Sequence, residues 1–147
     1  MNTAELRRRY GENGESFNGV GIKILAVDDN GPTLRVIKAM LEGENFDVTI
    51  INSGLSVMKA IEKSRPDLIL LDYEMPFCDG RKVLEMIRAN KDTIDIPVVF
   101  LTGVNDREHI EPLVALRPAG YLLKPLNKKM LLEAIRKAFF PPSRDSL

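Results

Sequence analysis

The sequence predicts an α/β fold, a doubly wound parallel sheet, on three observations. From Ile22 onward short apolar runs alternate with stretches of helical period, the pattern of strands each followed by a covering helix. Most of the runs are continuous Val, Ile and Leu rather than alternating apolar and polar, as strands covered on both faces require. At 147 residues the chain fits one domain whose core needs neither disulfides nor a structural metal.

Residues 1–21 precede this pattern and combine the run Arg7-Arg8-Arg9 with Gly11, Gly14, Gly19 and Gly21. Their low apolar content offers little to offset ordering entropy, which predicts a flexible N-terminal extension. The folded domain is expected over residues 22–140, followed by a short tail, 141–147.

Five strand candidates follow: Ile22 to Val27, Phe46 to Ile51, Leu68 to Leu71, Val98 to Leu101 and Gly120 to Leu123. The first helix is predicted from Leu34, Ile37 and Leu41, with Pro32 near its first turn. The second is predicted from Leu55, Met58 and Ile61 after Ser53, and the third from Val83, Met86 and Ile87. The fourth stretch, Asn105 to Leu116, carries Pro112, which predicts a late start or a kink. The last helix follows Pro125, is capped by Asn127, presents Leu131, Ile135, Ala138 and Phe139, and ends before Pro141-Pro142. The tail is too short for an output domain, so a stand-alone protein is expected.

Twenty-one basic and 21 acidic side chains cancel, so no broad positive field draws the chain to nucleic acid or to anionic lipid. The single cysteine, Cys78, excludes an internal disulfide, and no apolar run is long enough for a membrane span or signal core. Cytoplasmic location, without a direct nucleic-acid or membrane partner, is the expectation.

In parallel α/β sheets ligands bind beyond the carboxyl ends of the strands, where strand order reverses. There the sequence places Asp28 and Asp29 after the first strand, Asp72 after the third, Thr102-Gly103 after the fourth and Lys124-Pro125 after the fifth. If the first, third, fourth and fifth strands are neighbours, with the second at the edge, these groups converge on one rim. That is strand order 2-1-3-4-5, a flavodoxin-like (βα)5 arrangement.

Carboxylates gathered at one rim repel. At an effective dielectric of about 20, two unit charges roughly 4 Å apart cost on the order of 4 kcal/mol. Oxygen ligands with no neighbouring His or Cys select magnesium or a similar ion, which typically also takes phosphate oxygens. Lys124 can neutralise a transferring phosphoryl oxygen, the Thr102 hydroxyl can donate to one, and a carboxylate such as Asp72 can form an aspartyl-phosphate.

With these residues in place, the sequence resembles the receiver domains of two-component response regulators, the chemotaxis regulators among them, from about Ile22 to Phe140. The matching features are Asp28-Asp29, Asp72-x-x-Met75-Pro76-x-x-Asp79-Gly80, Thr102, and Tyr121-x-x-Lys124-Pro125. The resemblance implies that Asp72 takes a phosphoryl group from a sensor histidine kinase or a phosphotransfer protein. It implies Mg2+ held by Asp29, Asp72 and the backbone carbonyl of Glu74, with Asp28 acting through water. Thr102 and Lys124 would hold phosphoryl oxygens, Tyr121 would swing inward as Thr102 moves, and the Lys124-Pro125 bond would be cis. The readout face would be the fourth helix, fifth strand and last helix, directed at a downstream protein target not named by the sequence.

Each feature alone has an ordinary reading: Asp28 and Asp29 as a turn and helix cap, Thr102 as a loop hydroxyl, Lys124 as a surface charge. Only the combination favours the switch. His109 has no second ligand nearby, and Glu74 and Val104 sit where relatives tune access of hydrolytic water. The fifth strand lacks the acidic residues of one salt-bridged dimer type, and a homodimer of another kind stays open. No turnover enzyme is expected beyond self-phosphorylation and autodephosphorylation. The alternatives are a magnesium-dependent phosphatase of the haloacid-dehalogenase type, whose motif wants Asp-x-Asp where this chain has Asp72-Tyr73-Glu74, and a binding module that signals without phosphorylation.

Overall fold

A computed structural model of the chain describes residues 2–103 and 111–141. The strands are β1 (Lys23–Val27), β2 (Asp47–Ile51), β3 (Leu68–Asp72), β4 (Val98–Thr102) and β5 (Gly120–Leu123). All pair in parallel, in the order β2-β1-β3-β4-β5, as the distribution of charged strand ends predicts. Every residue of β3 and β4 is buried, which accounts for their continuous apolar runs.

The helices are α1 (Thr3–Tyr10), α2 (Gly31–Glu42), α3 (Val57–Ser64), α4 (Gly80–Ala89) and α5 (Lys128–Phe139). Four start on a side-chain cap: Asn2 for α1, Asn30, which accepts from the Thr33 N–H at 2.9 Å, Asp79 from Lys82 at 3.0 Å and Asn127 from Met130 at 2.8 Å. Buried Leu34, Ile37 and Leu41 on α2, and Leu131, Ile135 and Phe139 on α5, follow the expected period. Those helices cover the sheet face formed by Ile24, Ala26, Leu68 and Leu70; α3 and α4 cover the face of Leu25, Val27, Ile69 and Leu71.

Two helical stripes differ from the expected ones. Leu55 lies in a 3-10 turn, Gly54–Ser56, ahead of α3 and is 72% exposed, so Val57 and Ile61 form the buried stripe. On α4 the buried residues are Val83, Leu84 and Ile87, while Met86 faces outward. In both cases an apolar residue at helical spacing sits one position off the covered face. The described part of the stretch with Pro112 is a 3-10 segment, Glu111–Leu116; where the stretch starts falls outside the described residues. Asn105, Val104, His109 and residues 142–147 lie outside the described residues.

The largest difference concerns residues 1–21, expected to be loose. Thr3–Tyr10 form α1, capped by Asn2, whose side chain accepts from the Glu5 N–H at 2.9 Å. Leu6 and Tyr10 are buried in the same core cluster as Ile22, Phe46, Phe139 and Phe140. Phe17 is the hub, its ring centroid 5.2 Å from Tyr10, 6.0 Å from Phe46 and 5.7 Å from both Phe139 and Phe140. The Tyr10 hydroxyl donates to the Val20 carbonyl at 3.1 Å, and Arg136 on α5 donates to the Asn13 carbonyl at 2.9 Å. Few apolar residues suffice because three of them are large and meet rings that the domain leaves uncovered at the amino end of its sheet.

Candidate functional site

The site lies at the opposite, carboxyl end of the sheet. β1 runs directly into Asp28 and Asp29, and β3 ends in Asp72; pairing of Val27 with Leu71 brings the two ends level. The Asp28 N–H donates to the Ile51 carbonyl at 3.2 Å, and its Oδ1 accepts from the Asn30 N–H at 2.9 Å. Across the rim, the Lys124 N–H donates to the Thr102 carbonyl at 2.8 Å, setting the lysine at the end of β4. The Lys124–Pro125 peptide bond is cis.

Carboxylate oxygens of Asp28, Asp29 and Asp72 lie within 4.8 Å of one another. Asp28 is fully buried, Asp72 is 4% exposed and Asp29 faces solvent. Lys124 Nζ stands 2.9 Å from Asp28 Oδ2 and 3.1 Å from Asp72 Oδ1. One lysine therefore pairs with two buried carboxylates, with solvent-facing Asp29 beside them, an excess of negative charge at a largely desolvated rim. Burial, and next the neighbouring Asp28, push the Asp72 carboxyl up to about 7, against the opposing pull of Lys124. Burial disfavours the charged form of Lys124, yet contact with Asp28 and the charges of Asp72 and Asp28 hold its pKa above the ordinary lysine value.

Glu74, Gly103, Asn30 and Thr33 complete the lining of a cleft of about 390 Å³ around these groups. The structure thus gathers Asp28, Asp29, Asp72, Glu74 and Lys124. Thr102 is buried at the end of β4, beside Gly103 of the lining. Tyr121 stands outside, 42% exposed and stacked on Phe100 at 6.0 Å. Asn30 and Thr33 were not among the residues expected from the sequence; their spacing, a cap and its third residue at the start of α2, was the available signal. A wider cleft of about 850 Å³, lined by Lys59, Glu62, Arg65 and Asp92 among others, lies between α3 and the loop after α4, away from these carboxylates.

The donors are all oxygens, without histidine or thiol, and Asp28 Oδ2 is buried with no aligned hydrogen-bond donor. That set fits a hard divalent cation of the magnesium class, held by the three aspartates. Among the described residues no helix is long and apolar enough to cross a membrane.

Fold and rim together define a class: a parallel α/β protein with strand order 2-1-3-4-5 that carries an acidic cluster and a lysine at its carboxyl edge. Residues 24–136 match the family model of the response regulator receiver domain, and the chain belongs to that family of two-component phosphorelay proteins. It is 32% identical over 114 residues to the DNA-binding response regulator MtrA of Mycobacterium tuberculosis, a match covering 78% of this chain and 49% of that protein. It is 30% identical to the sensor protein GacS of Pseudomonas syringae, over 78% of this chain and 13% of that one. Among solved structures, the chemotaxis protein CheY4 of Vibrio cholerae superposes with a TM-score of 0.75 at 26% identity, covering 80% of this chain and 98% of that one. The chain spans about half the length, or less, of these curated relatives. One of them is named as DNA-binding, so the expectation of no nucleic-acid partner, drawn from balanced charge, applies to these 147 residues alone.

Proposed function

We propose that the chain is a phosphorylation switch whose phosphoacceptor is Asp72. The observation that carries this reading is the approach of three carboxylates within 4.8 Å, with Lys124 at 2.9 and 3.1 Å from two of them. The donor is a phosphohistidine on a sensor kinase or phosphotransfer protein. An Asp72 carboxylate oxygen forms the new bond to phosphorus as the P–N bond to imidazole breaks, and the imidazole takes up a proton. Asp29, Asp72 and the Glu74 carbonyl would hold Mg2+ directly, and Asp28 through water. The ion supplies positive charge opposite the developing phosphoryl charge when bound.

Lys124, already aimed at Asp72, pairs with a phosphoryl oxygen once Asp72 carries the acyl phosphate, and the Thr102 hydroxyl donates to another. Movement of Thr102 frees space for Tyr121, which turns inward from its exposed position on Phe100. The phosphoryl group biases an existing equilibrium by as much as it prefers the inward arrangement. In this reading the protein works in the cytoplasm, is no turnover enzyme, and hands the signal to a protein target through the fourth helical stretch, Asn105 to Leu116, together with β5 and α5.

Acetyl phosphate with Mg2+ should place one equivalent of acid-stable, base-labile phosphate on the protein. Beryllofluoride with Mg2+ should shift the amide signals of Thr102 and Tyr121. Asp72→Asn should abolish both, and an unresponsive parent protein would overturn the reading.

A further inference from the structure

The route from Asp72 to Tyr121 through Thr102 is not the only physical connection between them. α4 starts against the phosphoacceptor: the Gly80 N–H donates to the Tyr73 carbonyl at 2.7 Å. A Cβ at Gly80 would come within 2.9 Å of the Tyr73 Cα and 3.0 Å of the Asp72 carbonyl oxygen. The helix therefore abuts the backbone that carries Asp72, beside the Phe100 ring, whose Cε1 lies 2.9 Å from the same Cβ position.

The other end of α4 carries Arg88, a guanidinium bonded to backbone carbonyls. Nε donates to Leu116 at 2.8 Å, Nη1 to Ile94 at 3.0 Å and Ile96 at 2.8 Å, and Nη2 to Arg117 at 3.1 Å. Burial and the nearby Arg117 charge disfavour this cation, while Asp95 favours it; neutral carbonyls in a fixed fork offset part of that cost, a geometry that lysine cannot copy. Leu116 and Arg117 lead into β5: the Ala119 N–H donates to the Val98 carbonyl at 2.7 Å, and Tyr121 follows two residues later.

We infer that Arg88 is a positioning residue of the switch: α4 links the Asp72 backbone rigidly to the entry of β5, and the Arg88 fork makes that link, so that Tyr121 is set through α4 as well as through Thr102. The inference rests on Tyr121 being the switch residue of the proposed function. A static contact chain is not by itself coupling, so the test must read the two-state element.

In the parent protein, beryllofluoride with Mg2+ should shift the Arg88 Nε–H resonance together with the Tyr121 amide. An Nε–H signal that stays fixed while Tyr121 responds overturns the inference. In Arg88→Met, which keeps an apolar stem, beryllofluoride affinity and acetyl phosphate uptake should stay within about twofold of the parent. The Thr102 shift should persist while the Tyr121 shift falls below half, and Arg88→Lys should restore it only in part. A variant that melts at lower temperature yet keeps the full Tyr121 response gives Arg88 a purely structural role and also overturns the inference. If Arg88→Met does not fold, the Nε–H measurement on the parent decides alone. Should the parent show no response at Thr102 or Tyr121, the proposed function itself has failed rather than the role of Arg88.

Discussion

At the carboxyl end of the sheet, Asp28, Asp29 and Asp72 crowd within 4.8 Å around one lysine. At the amino end, Tyr10, Phe17, Phe46, Phe139 and Phe140 pack ring against ring, joined by a helix that precedes the receiver match. The first arrangement raises the free energy of the folded protein, because the like charges of Asp28 and Asp72 are held together away from water, with the solvent-facing Asp29 beside them. The second lowers it through apolar burial and edge-to-face contacts. A strained rim of this kind is compatible with a folded protein when stability is supplied elsewhere, and the two ends are then expected to respond separately to substitution.

The largest expected effect is at the amino end. Phe139 is buried and touches Phe17, so Phe139→Ala should cost about 3–5 kcal/mol in urea unfolding. If the ends are independent, the affinity for beryllofluoride with Mg2+ stays within about twofold at temperatures where the variant is folded. A loss of affinity matching the loss of stability would break the comparison.

The next effect belongs to the rim and has the opposite sign. The Asp72 carboxyl stands at about 7 in the folded protein, against 3.8 ordinarily. Between those values the folded state retains a proton that the unfolded chain has released, so this group's contribution to stability falls as pH rises through that window. Above pH 7 the penalty is complete, on the order of 4 kcal/mol with the opposing pull of Lys124 already included. Asp72→Asn, in EDTA, should therefore gain roughly 2–4 kcal/mol at pH 8, and the gain should fade toward pH 4. Added Mg2+ should narrow the difference by stabilising the parent. Equal stability of the two proteins at pH 8 would show that the rim carries no such strain.

What was legible in the sequence follows the same division. Strand order and the rim could be read because each charged residue directly follows a buried run, and topology fixes which ends converge: Asp28, Asp29, Asp72, Thr102 and Lys124 were expected at the strand ends and are found there. The amino end could not be read, because Leu6, Tyr10 and Phe17 have partners at Phe46, Phe139 and Phe140, and no local period joins residues so far apart. Arg88 was equally silent: a lone arginine near a helix end looks solvated until the Leu116 and Arg117 carbonyls are brought to it. Leu55 and Met86 mark the limit of periodicity, since apolar spacing fixes a stripe only to within one position of the covered face.

The smallest effect sharpens the account of the rim. Phe77, five residues beyond Asp72, has φ +66° and is 94% exposed, while the Cys78 N–H donates to the Pro76 carbonyl at 2.8 Å. This is a γ-turn with a positive central φ, a rare and strained form. A β-carbon in the left-handed region costs about 1–2 kcal/mol, asparagine tolerates it better than phenylalanine, and a side chain so exposed has little packing to lose. Phe77→Asn should accordingly stabilise the protein by up to about 1 kcal/mol and raise the melting temperature by roughly 3 °C. A clear fall in melting temperature would mean that the ring covers apolar surface, and that this part of the rim is stabilised by packing rather than held under strain.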